Sequence, residues 1–125
     1  MEFLKRNAVD FFNYAKLFVR DGKYNLAMFA LEQALQLGLK YYISALTGSF
    51  PKTHDIVSLL KTVVDLTGNQ RLKSLLQTEA STLDLLKQAY TASRCLPVSY
   101  DREAVEKALK VAEEVLNELG VLGVP

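Results

Sequence analysis

The sequence predicts an all-α fold: an up-and-down antiparallel helical bundle of four long helices plus a shorter one. Apolar residues recur at spacings of three and four in every segment, and none shows sustained alternation. The breaks are few: Asp21-Gly22, Gly48-Ser49-Phe50-Pro51, Gly68-Asn69 and Leu96-Pro97. The 125 residues are 50% hydrophobic and 23% charged, enough apolar material for one buried core, so residues 1–125 read as a single domain.

The first segment runs from about Glu2 to Arg20, with Leu4, Ala8, Phe11, Ala15 and Phe18 on one stripe that Phe12 and Val19 widen. The second, about Lys23 to Thr47, is apolar nearly all round from Leu26 to Leu31, as a central bundle helix must be. Thr53 is the expected N-cap of the short third helix, with Asp55 in its first turn and Ile56, Leu59, Leu60, Val63 and Val64 as its stripe. The fourth, about Gln70 to Ser93, carries Leu72, Leu76, Ala80, Leu83, Leu86 and Tyr90 on one continuous face. The fifth starts at Asp101 as N-cap and ends before Gly120 as the C′ residue. Its stripe is Val105, Ala108, Leu109, Ala112, Val115, Leu116 and Leu119, and Glu103-Lys107 and Glu106-Lys110 form favourable i,i+4 pairs. Short loops make neighbouring helices antiparallel. Phe3, Phe29, Tyr41, Tyr42 and Ile43 leave room for a dimer interface.

Several chemistries are excluded. One cysteine, Cys95, and one histidine, His54, leave no disulfide framework, no multi-cysteine zinc site and no chemistry needing two histidines. Six scattered glycines form no phosphate-cradling loop. No metal or cofactor is expected. The 15 basic and 14 acidic residues give no whole-chain field for nucleic acid or lipid. Residues 1–62 hold 8 basic and 5 acidic groups against 7 and 9 in the remainder, an asymmetry that reads as a solvated face. The start lacks a basic region followed by an apolar run, and Glu32, Gln33, Gln36 and Lys40 interrupt the one stretch long enough to span a bilayer. The expectation is a cytoplasmic protein without a membrane span.

Three features bear on function. Glu32, Gln33 and Gln36 lie on the apolar second helix and Glu79 near the stripe of the fourth; the balance favours exposed edge positions over a polar seam between helices. His54, with Lys52 nearby, opens the third helix, where backbone amides can hold phosphate; a locally bonded cap residue is the competing reading. The stretch from Tyr90 to Tyr100 leaves a long helix at Arg94. A guanidinium fork fits phosphate and a phenol ring stacks on a base, while arginine at a helix end also has a structural use. The candidate ligand residues are therefore Arg94, Tyr100, Tyr90, His54 and Lys52, with no catalytic residue assigned.

Three stretches taken in order resemble the HEPN family. Ala30-Leu31-Glu32-Gln33-Ala34-Leu35-Gln36-Leu37-Gly38-Leu39-Lys40 is similar to its central helix. Thr53-His54-Asp55-Ile56-Val57-Ser58-Leu59-Leu60 resembles its Thr-His-Asp helix start. Ser93-Arg94-Cys95-Leu96-Pro97 resembles its Ser-Arg-Tyr-Pro loop, with Cys95 where tyrosine is usual. The resemblance implies a homodimeric helical bundle that pairs with a minimal nucleotidyltransferase in a toxin–antitoxin module and binds nucleotide or RNA. It implies Arg-x4-6-His as the ribonuclease motif; Arg94 matches the arginine, but no histidine follows it. General acid–base cleavage then lacks its carrier, so the expectation is a binding module without ribonuclease activity. The resemblance also suggests Tyr100 as an adenylylation site. The alternatives are a metal-independent ribonuclease toxin that recruits His54, and a purely structural helical adaptor.

Overall fold

A computed structural model describes residues 1–122, with Arg94 described by its backbone only. These residues form six helices: α1 (Glu2–Arg20), α2 (Tyr24–Thr47), α3 (Ile56–Thr67), α4 (Gln70–Thr78), α5 (Ala80–Cys95) and α6 (Arg102–Glu118). The all-α bundle is as the periodicity predicts. α2 sits at its centre and packs against α1, α3, α5 and α6. Met28, Leu31, Leu35 and Leu39 of α2 are fully buried, because a helix surrounded on several sides needs apolar residues around most of its circumference. α1 presents Leu4, Ala8, Phe12 and Ala15 to this helix, and Phe11, Phe18 and Val19 flank them half-buried.

The turns follow backbone chemistry. α1 ends at Asp21; Gly22 takes φ +71°, and the Lys23 amide donates to the Phe18 carbonyl, reversing the chain into α2. The same device ends α6, where Gly120 at φ +72° lets the Val121 amide reach the Leu116 carbonyl. Asp101 caps α6 through Oδ1 to the Ala104 amide at 2.8 Å. On α6, Glu106 reaches back to Arg102 at 3.6 Å in place of the expected pair with Lys110.

Two boundaries differ from the sequence expectation. The cap of α3 is Asp55, whose Oδ1 accepts from the amides of Val57 (2.9 Å) and Ser58 (3.1 Å). Thr53 acts one step earlier, its Oγ1 accepting from the Asp55 amide. The segment from Gln70 is two helices, broken at Glu79, whose φ of −113° and ψ of 26° leave the helical region. The break lets α4 lie on α3 with Leu72 and Leu75 buried, while α5 turns into the bundle with Leu83, Leu86 and Ala89 buried against α2. A straight helix through both would aim one stripe in one direction, and Ala80, expected on that stripe, is exposed.

The Asp55 cap is also electrostatic. Desolvation acts to raise its pKa, but the Ser58 amide, the Lys87 ammonium at 3.2 Å and the Val57 amide together hold it below its ordinary 3.8. A carboxylate with a depressed folded pKa contributes stability above its unfolded value and loses it as pH falls through the folded one. Asp55→Ala is therefore expected to cost about 1 kcal/mol at neutral pH. The gap between variant and wild type in urea midpoints should close as the pH drops below the ordinary aspartate range.

Candidate functional site

Three polar residues of α2, Glu32, Gln36 and Lys40, are buried. Glu32 is completely buried and Gln36 is 5% exposed, so the exposed-edge expectation for them is corrected to the polar seam. The seam forms because residues four apart share a helix face, and buried polar groups must find partners. Gln33 Nε2 donates to Glu32 Oε1 at 2.7 Å, and Gln36 Nε2 donates to Glu32 Oε2 at 2.9 Å. Gln36 Oε1 then accepts from Lys40 Nζ at 3.3 Å. Burial lowers the Lys40 pKa, and the Glu32 carboxylate partly offsets that effect. Lys40 Nζ also lies 5.7 Å from the centre of the Phe50 ring.

The seam reaches the surface at His54. Its Nδ1 lies 3.2 Å from Gln36 Oε1, so the imidazole is tied across the fold rather than to its own turn. The ring stacks on Tyr90 of α5, with centroids 4.7 Å apart and planes 14° from parallel. Beside this pair lies a cavity of about 430 Å³ bordered by His54, Asp55, Lys87, Tyr90, Ala92 and Leu96, among others. One wall is aromatic and aliphatic; another is the Asp55–Lys87 ion pair. Asn25 Nδ2 holds the chain beyond α5 by donating to the Val98 carbonyl at 2.6 Å.

The sequence candidates separate here. His54 and Tyr90 come together although 36 positions apart in the chain. Arg94 is one helical turn beyond Tyr90 on α5, and its side chain lies outside the described residues. Lys52 is exposed two positions before His54, and Tyr100 is half-buried against the core; neither borders the cavity. The amides at the start of α3 that were candidates for phosphate already serve the Asp55 carboxylate, so His54 contributes a ring rather than a helix end. Gln36 and Lys87 were not singled out as ligand residues. The signal for Gln36 was the Glu32, Gln36, Lys40 ladder at four-residue spacing on an otherwise apolar helix. Lys87 carried none, because its importance comes from a partner 32 positions away.

Among the described residues no cluster of three His, Cys, Asp or Glu side chains is placed to hold a metal ion, and no helix is long and apolar enough to cross a membrane. A central helix with a buried polar ladder, a Thr-His-Asp helix start and a closing amphipathic helix define an all-α helical-bundle domain. A model of the HEPN domain matches residues 1–122, so the chain belongs to the HEPN family. No curated protein and no solved structure matches the chain.

Proposed function

We propose that this HEPN domain binds a nucleotide or RNA in the cavity beside the His54–Tyr90 stack. In this reading it acts as a homodimer paired with a minimal nucleotidyltransferase, in a toxin–antitoxin arrangement and without ribonuclease activity of its own. The observation that carries the binding half is the stack itself. It places an aromatic surface, an imidazole and the Lys87 ammonium around one cavity, one helical turn before Arg94. Aromatic faces stack on bases and cations hold phosphates. Arg94, Tyr90 and His54 are the proposed ligand residues; Lys52 and Tyr100 are proposed as secondary candidates outside the cavity lining, Tyr100 as the acceptor of an adenylyl group. Self-association is supported by Phe3, Tyr14 and Leu17, which are 50%, 53% and 43% exposed and lie on one side of α1. Of Phe3, Phe29, Tyr41, Tyr42 and Ile43, Phe3 is the exposed one.

The test is binding of fluorescent RNA oligonucleotides and nucleoside monophosphates at low salt. Tyr90→Ala and Arg94→Ala are each expected to weaken binding by roughly tenfold, the scale of one stacked base or one charge-assisted contact. Wild-type protein that binds neither class of ligand, and forms no complex with a co-expressed minimal nucleotidyltransferase, refutes the proposal.

The stack also favours a second reading, a metal-independent ribonuclease in which His54 replaces the histidine missing after Arg94. RNA incubated with wild type and with Arg94→Ala separates the two readings. Equal background cleavage by both eliminates the nuclease; cleavage by wild type alone establishes it.

A further inference from the structure

The chain has one histidine, and the buried seam dictates which of its nitrogens carries the proton. The Glu32 carboxylate accepts from the Gln36 amide nitrogen, so the amide oxygen must face the other way. That oxygen has two neighbours, the Lys40 ammonium and His54 Nδ1. An amide turned the opposite way would set oxygen against carboxylate and N–H against ammonium, two repulsions in a site shielded from water. The amide orientation is thus enforced from both ends. An amide oxygen only accepts, so the short contact to His54 requires a proton on Nδ1.

We infer that Glu32 and Gln36 act as positioning residues that lock neutral His54 in the Nδ1–H tautomer, making Nε2 a hydrogen-bond acceptor for a nucleobase carrying an exocyclic amino group. The ligand half of this inference rests on the nucleotide-binding reading above. Nε2 is on the ring edge away from Gln36 and has no hydrogen-bond partner among the described residues. The imidazole borders the cavity, whose apolar flank of Tyr90, Ala92 and Leu96 suits the face of a flat ring. A lone pair at the edge of such a surface selects a donor: an amino group is accepted, and a ring with no donor at that position leaves Nε2 desolvated and unpaired.

Because there is a single histidine, one set of imidazole signals reports the site. Two-bond ¹⁵N–¹H correlation spectra at alkaline pH are expected to show Nδ1 protonated and Nε2 bare in the wild type. Gln36→Met, which keeps the volume and removes the oxygen, is expected to shift the population towards the Nε2–H form. The same spectra then follow titration with AMP and with purine riboside 5′-monophosphate, which differs only by lacking the amino group. AMP is expected to bind roughly tenfold more tightly, the scale of one hydrogen bond, and Gln36→Met should erase that preference.

A wild-type spectrum with the proton on Nε2 overturns the tautomer lock whether or not any nucleotide binds. The expected tautomer with equal affinity for the two nucleotides overturns the amino-group assignment alone; loss of that shared affinity with 2′-deoxy AMP then identifies a ribose hydroxyl as the donor. The expected tautomer with no response to either nucleotide overturns both the ligand assignment and the nucleotide-binding reading on which it rests.

Discussion

Glu32→Ala is expected to destabilise the domain by about 3 kcal/mol, from the cavity left in a packed helix interface and from two amide groups stripped of their acceptor. Glu32 is fully buried, and its two oxygens accept from Gln33 and Gln36. Removal leaves the Gln36 amide, itself buried, without the group that orients it, and the Lys40 ammonium without the carboxylate that draws it. The melting temperature should fall by roughly 10 °C. Glu32→Gln keeps the volume and one acceptor, and should lose less than half as much. If Glu32→Ala melts with the wild type, the seam is not a structural element.

Gly38→Leu is expected to abolish stable folding. A Cβ at Gly38 would lie 2.6 Å from Leu116 Cδ2 of α6, 3.5 Å from Val121 Cγ2 and 3.9 Å from the Cβ of Ala8 on α1. The glycine therefore sets how closely three parts of the bundle approach. Leu116 is fully buried in a close-packed core, so any shift of its methyl must be taken up by its neighbours, and the three further side-chain atoms of a leucine exceed what such a shift can accommodate. Gly38→Ala is the milder case: overpacking of about 1–3 kcal/mol is opposed by about 1 kcal/mol of helix propensity. Truncating Leu116 to alanine removes the clashing methyl, so Gly38→Ala on that background should cost less than it does alone. Additive losses in urea titrations of this double-mutant cycle would show that the two side chains do not meet as the structure has them.

The α6 boundaries, the α1–α2 turn and the central place of α2 could be read from periodicity, capping residues and glycine positions, because these are local matters of backbone geometry. The break at Glu79 could not: it settles a competition between α3 and α2 for the two halves of one amphipathic stretch. The cap of α3 lies two residues beyond the Thr53 that the sequence favours, since Thr53 and Asp55 both have capping chemistry and only the path of the chain decides which reaches the helical amides.

Periodicity and composition suffice for an all-helical domain, its apolar faces, and a short set of residues able to meet a ligand: one imidazole, two tyrosines, an arginine and a lysine. Which of them share a site depends on how the helices pack. Helical periodicity relates residues three or four apart, whereas the contacts of Gln36 with His54, His54 with Tyr90, and Asp55 with Lys87 join three helical segments. Helix packing also reverses the reading of Glu32 and Gln36. A carboxylate and an amide on an apolar helix look like edge residues until the neighbouring helices close over them; once dry, each must bond to the next.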